Sequence, residues 1–208
     1  LLTALGVIDF DLMHKFRRLN GLPGHPDVSI KGFHTNTGSL GMGISKAKGF
    51  LYSEDINMKK GKVFVITGDG ELQEGQNWES LMKVNYKGND RLFVIVDHNK
   101  VQSDKLVDST SSLGDLTNKF KSFGCNVISC DGHDFNELDK IFNKTYNSKV
   151  NVIIANTVKG KGVSFMHHDK ISGDEFYKYH SGAPTEKDYN NALTELNNNL
   201  NDLLKLNN

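Results

Sequence analysis

Residues 62–80, KVFVITGDGELQEGQNWES, hold the transition on which the fold turns. Lys62 to Gly68 is a short β-branched apolar run without polar alternation, the pattern of a strand buried on both faces, and from Glu71 onward the spacing becomes helical. Gly68-Asp69-Gly70 is the junction. The same grammar repeats downstream. RLFVIVDH (91–98), CNVISC (125–130) and NVIIANT (151–157) read as strands, and Glu71 to Tyr86, Gly114 to Phe123 and Phe135 to Tyr146 are each long enough for a crossover helix. The pattern predicts an α/β fold, doubly wound, with a mainly parallel sheet and helices on both faces. Upstream, Asp11 to Leu19 and Ser39 to Leu51 read as helices on either side of a Gly- and Pro-rich connection. At the far end, Leu193, Leu196, Leu200 and Leu203 fall on one stripe of an amphipathic helix spanning about 185–206, a pattern that more often serves packing than chemistry. The 208 residues are expected to form a single domain.

Composition narrows the function. With 25 basic and 25 acidic residues the chain has no long-range field to gather nucleic acid or an anionic membrane, so any anion must be held by a local site. The longest apolar runs are far shorter than the roughly 18 to 20 residues of a membrane helix, and no secretory signal is visible at the start. Cys125 and Cys130 fall on one short strand with opposite side-chain directions, which argues against a bridge and for reduced thiols in a cytoplasmic setting.

In a parallel sheet, the ends of the first two strands lie at the carboxyl edge, where crossover loops open a ligand crevice. Gly68 and Gly70 let the backbone turn tightly and bring N–H groups against an anion, with the dipole of the following helix adding to the attraction. Asp69 and Asn99 offer oxygens of the kind a hard Mg2+ accepts, leaving other positions for phosphate oxygens, a backbone carbonyl and water. Together they describe a metal diphosphate. Taken alone, Gly-Asp-Gly is more often a plain turn in which Asp caps a helix; the strand context and Asn99 at the next strand end give it weight.

GDG followed roughly thirty residues later by Asn resembles the thiamine diphosphate fingerprint, and GDGELQEGQNWES is similar to the transketolase version of it. Four further stretches agree in order: LNGLPGHPD (19–27), TGSLGMG (37–43), VIIANTVKGKGVSFM (152–166) and YHSGAP (179–184). The chain thus resembles the N-terminal, diphosphate-binding (PP) part of a split transketolase. That resemblance implies thiamine diphosphate and Mg2+ as cofactors, with Asp69 and Asn99 ligating the metal by side chain and Val101 by its backbone carbonyl. It implies Gly38, Leu40, Gly68, Gly70, Glu71 and His180 around the cofactor, Gly70 offering its N–H to the diphosphate and Leu40 meeting the ring region. Glu74 matches the acidic residue that reaches across the subunit interface, His25 an active-site His that assists the bound sugar, and His180 the late His at the diphosphate or substrate mouth. His167 and His168 read equally well as solvated loop residues.

The activity implied is transfer of a two-carbon ketol unit from a ketose (phosphate) to an aldose (phosphate), with the cofactor supplying the chemistry and the protein its orientation. A partner is implied as well, a C-terminal subunit carrying the pyrimidine-binding domain, in an α2β2 assembly. Two rival readings are an E1 alpha subunit of a 2-oxoacid dehydrogenase, which lacks the GHP and TGSLG stretches, and a non-catalytic domain of the same fold. Met42 stands where the family turn has Gln, Lys105 where Gly is common, and residues 1–20 hold no SGHxG-type segment, so the chain either lacks its first segment or departs there. The loops Asn99 to Thr110 and Lys159 to Ser181, poor in apolar anchors, are expected to order only around a bound metal diphosphate.

Overall fold

The computed structural model describes residues 2–82, 89–144, 146, 149–170 and 176–206. Six strands lie along the described chain: β1 (Val63–Gly68), β2 (Leu92–His98), β3 (Val101–Gln102), β4 (Lys105–Leu106), β5 (Asn126–Asp131) and β6 (Asn151–Asn156). The four long ones pair in parallel in the order β1-β2-β6-β5, while β3 and β4 form a small antiparallel hairpin directly after β2. The helices are α1 (Gly43–Ile56), α2 (Gly75–Leu81), α3 (Val107–Thr110), α4 (Leu116–Ser122), α5 (Phe135–Asn143) and α6 (Glu186–Leu206). Doubly wound α/β is therefore the fold.

The apolar runs of the central strands β2 and β6 are covered on both faces. On one face Ile44 of α1, Leu72, Val94, Val96, Phe120 of α4 and Val152 make a continuous core; on the other Phe93, Ile153 and Ile141 of α5 make a smaller one. Cys125 lies in the first cluster and Cys130 in the second, both as free thiols, as the odd spacing between them requires. Burial pushes the Cys125 thiol up to about 11, so it is inert at neutral pH.

Helix boundaries moved where backbone geometry overrode periodicity. The helix expected from Ser39 starts at Gly43, because Gly41 takes a positive φ of 81° that a helix excludes. The helix expected over Glu71 to Tyr86 is split. A 3-10 turn (Gly70–Gln73) ends at Glu74, whose φ of −73° and ψ of 123° are extended, before α2 begins, and 83–86 lie outside the described residues. Asp11 to Leu19 forms only a 3-10 segment (Phe10–Lys15), capped by the Asp9 carboxylate on the Asp11 N–H at 3.1 Å and stopped by positive φ at Arg17 and Asn20.

The second face is covered unevenly. α5 packs on β5, leaving the outward side chains of the edge strand β1 open: Ile66 is 75% exposed and Phe64, stacked on Phe93 at 4.9 Å, is 48% exposed. α6 touches the rest of the chain through Glu195, which accepts from the N–H and hydroxyl of Ser164 at 2.8 and 3.0 Å, and its Leu193, Leu196 and Leu200 remain largely exposed. No helix of the described residues is long and apolar enough to cross a membrane.

This uneven cover gives a contrast that chemical denaturation can measure. Ile153→Ala, at a fully buried position of a central strand, is expected to cost the chain about 2 to 5 kcal/mol. Ile66→Ala, on the uncovered edge, is expected to stay within about 0.5 kcal/mol. Equal costs at the two positions would contradict the strand order.

Candidate functional site

Parallel strands bring β1, β2, β5 and β6 to a common carboxyl edge, and the candidate residues gather there. Gly68 pairs with Asp97, so Asp69 and Asn99 leave neighbouring strands side by side. Asp69 is 1% exposed. Its two carboxylate oxygens accept different backbone groups, Oδ1 the Gly70 N–H at 2.8 Å and Oδ2 the Lys100 N–H. Burial raises its pKa above the usual carboxylate range by more than those N–H groups lower it. A cation beside it would reverse that penalty.

Asn99 is oriented by its surroundings. Its Oδ1 accepts the Val101 N–H at 2.9 Å and its Nδ2 donates to Asp97 Oδ2 at 3.0 Å. The other Asp97 oxygen accepts the Thr157 hydroxyl, which ties β6 into the same network. Among the described residues no group of three or more His, Cys, Asp or Glu could hold a metal. An ion here would draw on one carboxylate, an amide oxygen and a backbone carbonyl, a set that suits Mg2+ carrying oxygens of its own ligand.

Gly70 is a cradle that a side chain would fill. A Cβ there would lie 2.6 Å from the Cβ of Gln102, and Gln102 Oε1 is a buried acceptor with no hydrogen-bond partner in the structure. An orphaned acceptor beside the Gly70 turn is what a site for a donor-bearing or hydrated cationic ligand leaves behind. The residues therefore fit a metal diphosphate.

A cavity of about 440 Å3 opens alongside, lined among others by His25, Gly38, Leu40, Met42, Phe64 and Glu71. Gly38, with φ of 110°, lets the His25 ring approach: a Cβ at Gly38 would lie 3.1 Å from the ring. Leu40 is 59% exposed at the cavity mouth. Glu71 turns out to be a structural tie, Oε1 accepting the Gly41 N–H at 2.8 Å and Oε2 the Gly68 N–H at 3.3 Å, so it holds the 37–43 turn to the end of β1. Glu74 is exposed beside this turn, on the outside of the described chain.

His180 comes from far along the sequence to the same edge. Its Nδ1 lies 3.1 Å from Lys159 Nζ, which also donates to the Ser103 carbonyl at 3.0 Å and stands over the Tyr177 ring at 5.1 Å. Burial lowers the Lys159 pKa, against the opposing pull of Asp69, Asp97 and Asp104. The two loops expected to be poor in anchors are in fact pinned together. Val101, Val107 and Tyr177 are buried, the Tyr177 N–H donates to the Asp104 carbonyl at 2.7 Å, and the Tyr177 hydroxyl donates to the Met166 carbonyl at 2.9 Å; residues 171–175 lie outside the described part. Lys105 opens β4 with its ammonium over the Phe176 ring at 5.0 Å.

Sequence reasoning missed Gln102, His133 and the Lys159 side chain, and it gave His168 equally as a solvated loop residue. His168 is partly buried, and its Nδ1 accepts the Lys159 N–H at 3.1 Å. The available signal was positional: DGHD (131–134) sits at a strand end just as GDG does.

A buried carboxylate, an amide and a glycine turn at adjacent strand ends are the features of a diphosphate-binding α/β protein. Residues 2–176 match the family model for the transketolase thiamine diphosphate binding domain, and the chain belongs to that family. An apulose-4-phosphate transketolase subunit of Phocaeicola vulgatus is 32% identical over 189 residues, which cover 90% of this chain and 65% of that one. The 6-deoxy-6-sulfo-D-fructose transketolase subunit SqwG of Clostridium sp. is 34% identical over 178 residues, 84% of this chain and 62% of that one. The chain thus spans less than two-thirds of the length of these relatives. The transketolase of Campylobacter jejuni superposes with a TM-score of 0.69 at 28% identity, over 76% of this chain and 26% of that one.

Because Gly70 and Gln102 are in contact, Gly70→Ala is expected to push the β3–β4 hairpin outward. Amide signals of Val101 to Leu106 should shift, with a loss of about 1 to 3 kcal/mol in denaturation. An unmoved hairpin would contradict the cradle.

Proposed function

We propose that this chain is the diphosphate-binding subunit of a transketolase-type transferase, which moves a two-carbon ketol unit from a ketose (phosphate) to an aldose (phosphate). The observation that carries the reading is the buried Asp69 carboxylate at the end of β1, beside Asn99 at the end of β2 and hydrogen-bonded to the glycine turn. The whole chain acts as one thiamine diphosphate-binding unit. Asp69, Asn99 and the Val101 carbonyl would hold Mg2+, and the Gly70 N–H, which donates to Asp69 Oδ1 here, would turn to the diphosphate. Gly38, Leu40, Gly68 and Glu71 shape the wall against the cofactor's rings, Glu71 through the two N–H groups it fixes.

When bound, the cofactor supplies the nucleophilic carbon and stabilises the two-carbon unit. The chain's own residues bind, orient and exclude water. His25, packed on Gly38 at the cavity, assists the sugar's oxygens, and His180 stands at the mouth. Glu74, exposed beside the 37–43 turn, faces a partner's acidic residue. That partner is a C-terminal transketolase subunit with the pyrimidine-binding domain, assembled with this chain as α2β2 in the cytoplasm. The relatives named as transketolase subunits, with two different sugar substrates between them, support the reaction class and leave the donor sugar to the partner's side of the site.

Asp69→Ala is expected to abolish Mg2+-dependent thiamine diphosphate binding, measured by calorimetry with the partner subunit present. The Gly70 and Lys100 N–H groups lose their acceptor, at about 1 to 3 kcal/mol, without loss of the fold. Normal cofactor binding by this variant would overturn the metal assignment. His25→Ala is expected to lower kcat or raise the donor KM by about tenfold or more, with cofactor affinity within about twofold of wild type. Lost cofactor affinity with unchanged donor kinetics would make His25 a structural residue.

A further inference from the structure

The chain leaving β6 bends over the sheet edge with two consecutive N–H groups turned to imidazole nitrogens. The Val158 N–H donates to Nε2 of His133, on the turn after β5, at 2.9 Å. The Lys159 N–H donates to Nδ1 of His168 at 3.1 Å, and the His168 N–H donates back to the Lys159 carbonyl at 3.0 Å. An imidazole nitrogen accepts only when it carries no proton, so both rings are neutral in this arrangement. Their tautomers are opposite: His133 has its proton on Nδ1, His168 on Nε2.

The loop held in this way carries Lys159. Its ammonium lies where the ends of β1 and β2, the hairpin and the 176–181 segment meet, in the field of Asp69, Asp97 and Asp104 and in contact with His180. A diphosphate brings more negative charge than one divalent cation removes, and Asp69 adds to the excess, so a further positive group at this point lowers the energy of the loaded site. Gly160 and Lys161 continue the loop into a cleft of about 520 Å3 that Asp97, Asn99 and His133 also line.

We propose that His133 and His168 are positioning residues which, as neutral imidazoles, hold the loop so that Lys159 serves the anion end of the site. That the anion is the cofactor's diphosphate rests on the function proposed above; the clamp itself does not. The surroundings keep the clamp closed at neutral pH. His168 is faced by Asp169, Lys100, Asp69 and His167, and burial outweighs their combined effect to hold its pKa below the usual histidine value. Around His133 stand Asp97, Lys159 and Lys161 in the cleft, and Asp131, whose carboxylate accepts the backbone N–H of His133 at 2.8 Å. A histidine whose folded pKa is depressed contributes stability that is fully present above its unfolded pKa of about 6.5 and is lost as pH falls below it. The His168 half of the clamp therefore opens on the acid side.

The test begins with the 15N-labelled chain without cofactor. Long-range 15N–1H correlation at pH 7.5 is expected to show His133 protonated on Nδ1 and His168 on Nε2, with the Lys159 amide signal following the His168 ring as pH is lowered to 5. Matching tautomers, or a Lys159 amide indifferent to the His168 ring, would overturn the clamp. A carboxamide accepts the same N–H without titrating, so His168→Asn should remove the acid response of Lys159, and His133→Gln should leave the Val158 amide signal in place where His133→Ala displaces it; the opposite result in either pair would also overturn it. With the partner present, Lys159→Met is expected to weaken Mg2+-dependent binding of both thiamine diphosphate and inorganic diphosphate by about tenfold, near the loss of one charge-assisted contact. Wild-type affinity for both would overturn the role of Lys159. If the rings behave as expected but wild-type chain and partner bind inorganic diphosphate and not thiamine diphosphate, the clamp and the arm stand and the proposed function fails.

Discussion

A lone carboxylate inside a protein is expensive unless every oxygen finds a donor or a cation. Asp69 meets that demand halfway. Its two oxygens take N–H groups from two different places, Gly70 on the turn after β1 and Lys100 on the turn after β2, so one side chain fastens the ends of adjacent strands together. Burial still raises its pKa, which means the two donors leave the charge under-compensated. The folded chain carries a standing electrostatic deficit at one point, and a cation relieves it. Lys159 stands off at the edge of that deficit, held by the Ser103 carbonyl and His180.

Two aspartates reach the same edge, and hydrogen bonding separates their tasks. Asp97 is engaged on both oxygens by side chains of its own neighbourhood, the Thr157 hydroxyl on one and the Asn99 amide on the other. It therefore acts as a brace that orients Asn99 and joins β2 to β6. Asp69 receives only backbone donors, from the two turns it joins. The difference separates a brace between strands from a carboxylate held inside the glycine turn, although both lie at strand ends.

How much of this the sequence disclosed follows from what kind of signal each feature leaves. Strands were legible because burial on both faces forces uninterrupted apolar runs, and their parallel arrangement follows from the helical segments between them. Helix starts were less legible: Gly41 and Glu74 adopt backbone angles set by the turns around the site, which periodicity does not encode. Asp69, Asn99, His25 and Gly38 could be named as candidates because short backbone motifs announce them. Gln102, Lys159, His133 and His168 were not, since their importance lies in where loop side chains and ring nitrogens point after folding. The split helix at Glu74 belongs with these, because it lets Glu71 turn back to the Gly41 and Gly68 N–H groups.

The open part of the sheet and the open part of the site are the same surface. Phe64 and Ile66 line the cavity that also holds His25, Leu40 and Glu71, and they stay exposed although Phe142 of α5 reaches the Phe64 ring at 5.5 Å. Water that reaches an apolar edge this close to a ligand cavity raises the local dielectric and weakens every charge interaction nearby. Whatever closes over β1 removes water from the cavity wall and strengthens the field around Asp69 in one step. Association over this edge and retention of a charged ligand are then thermodynamically linked, each favouring the other by the same coupling free energy. On the function proposed above, a cavity half-walled by the least-covered strand couples retention of the ligand to closure over that strand.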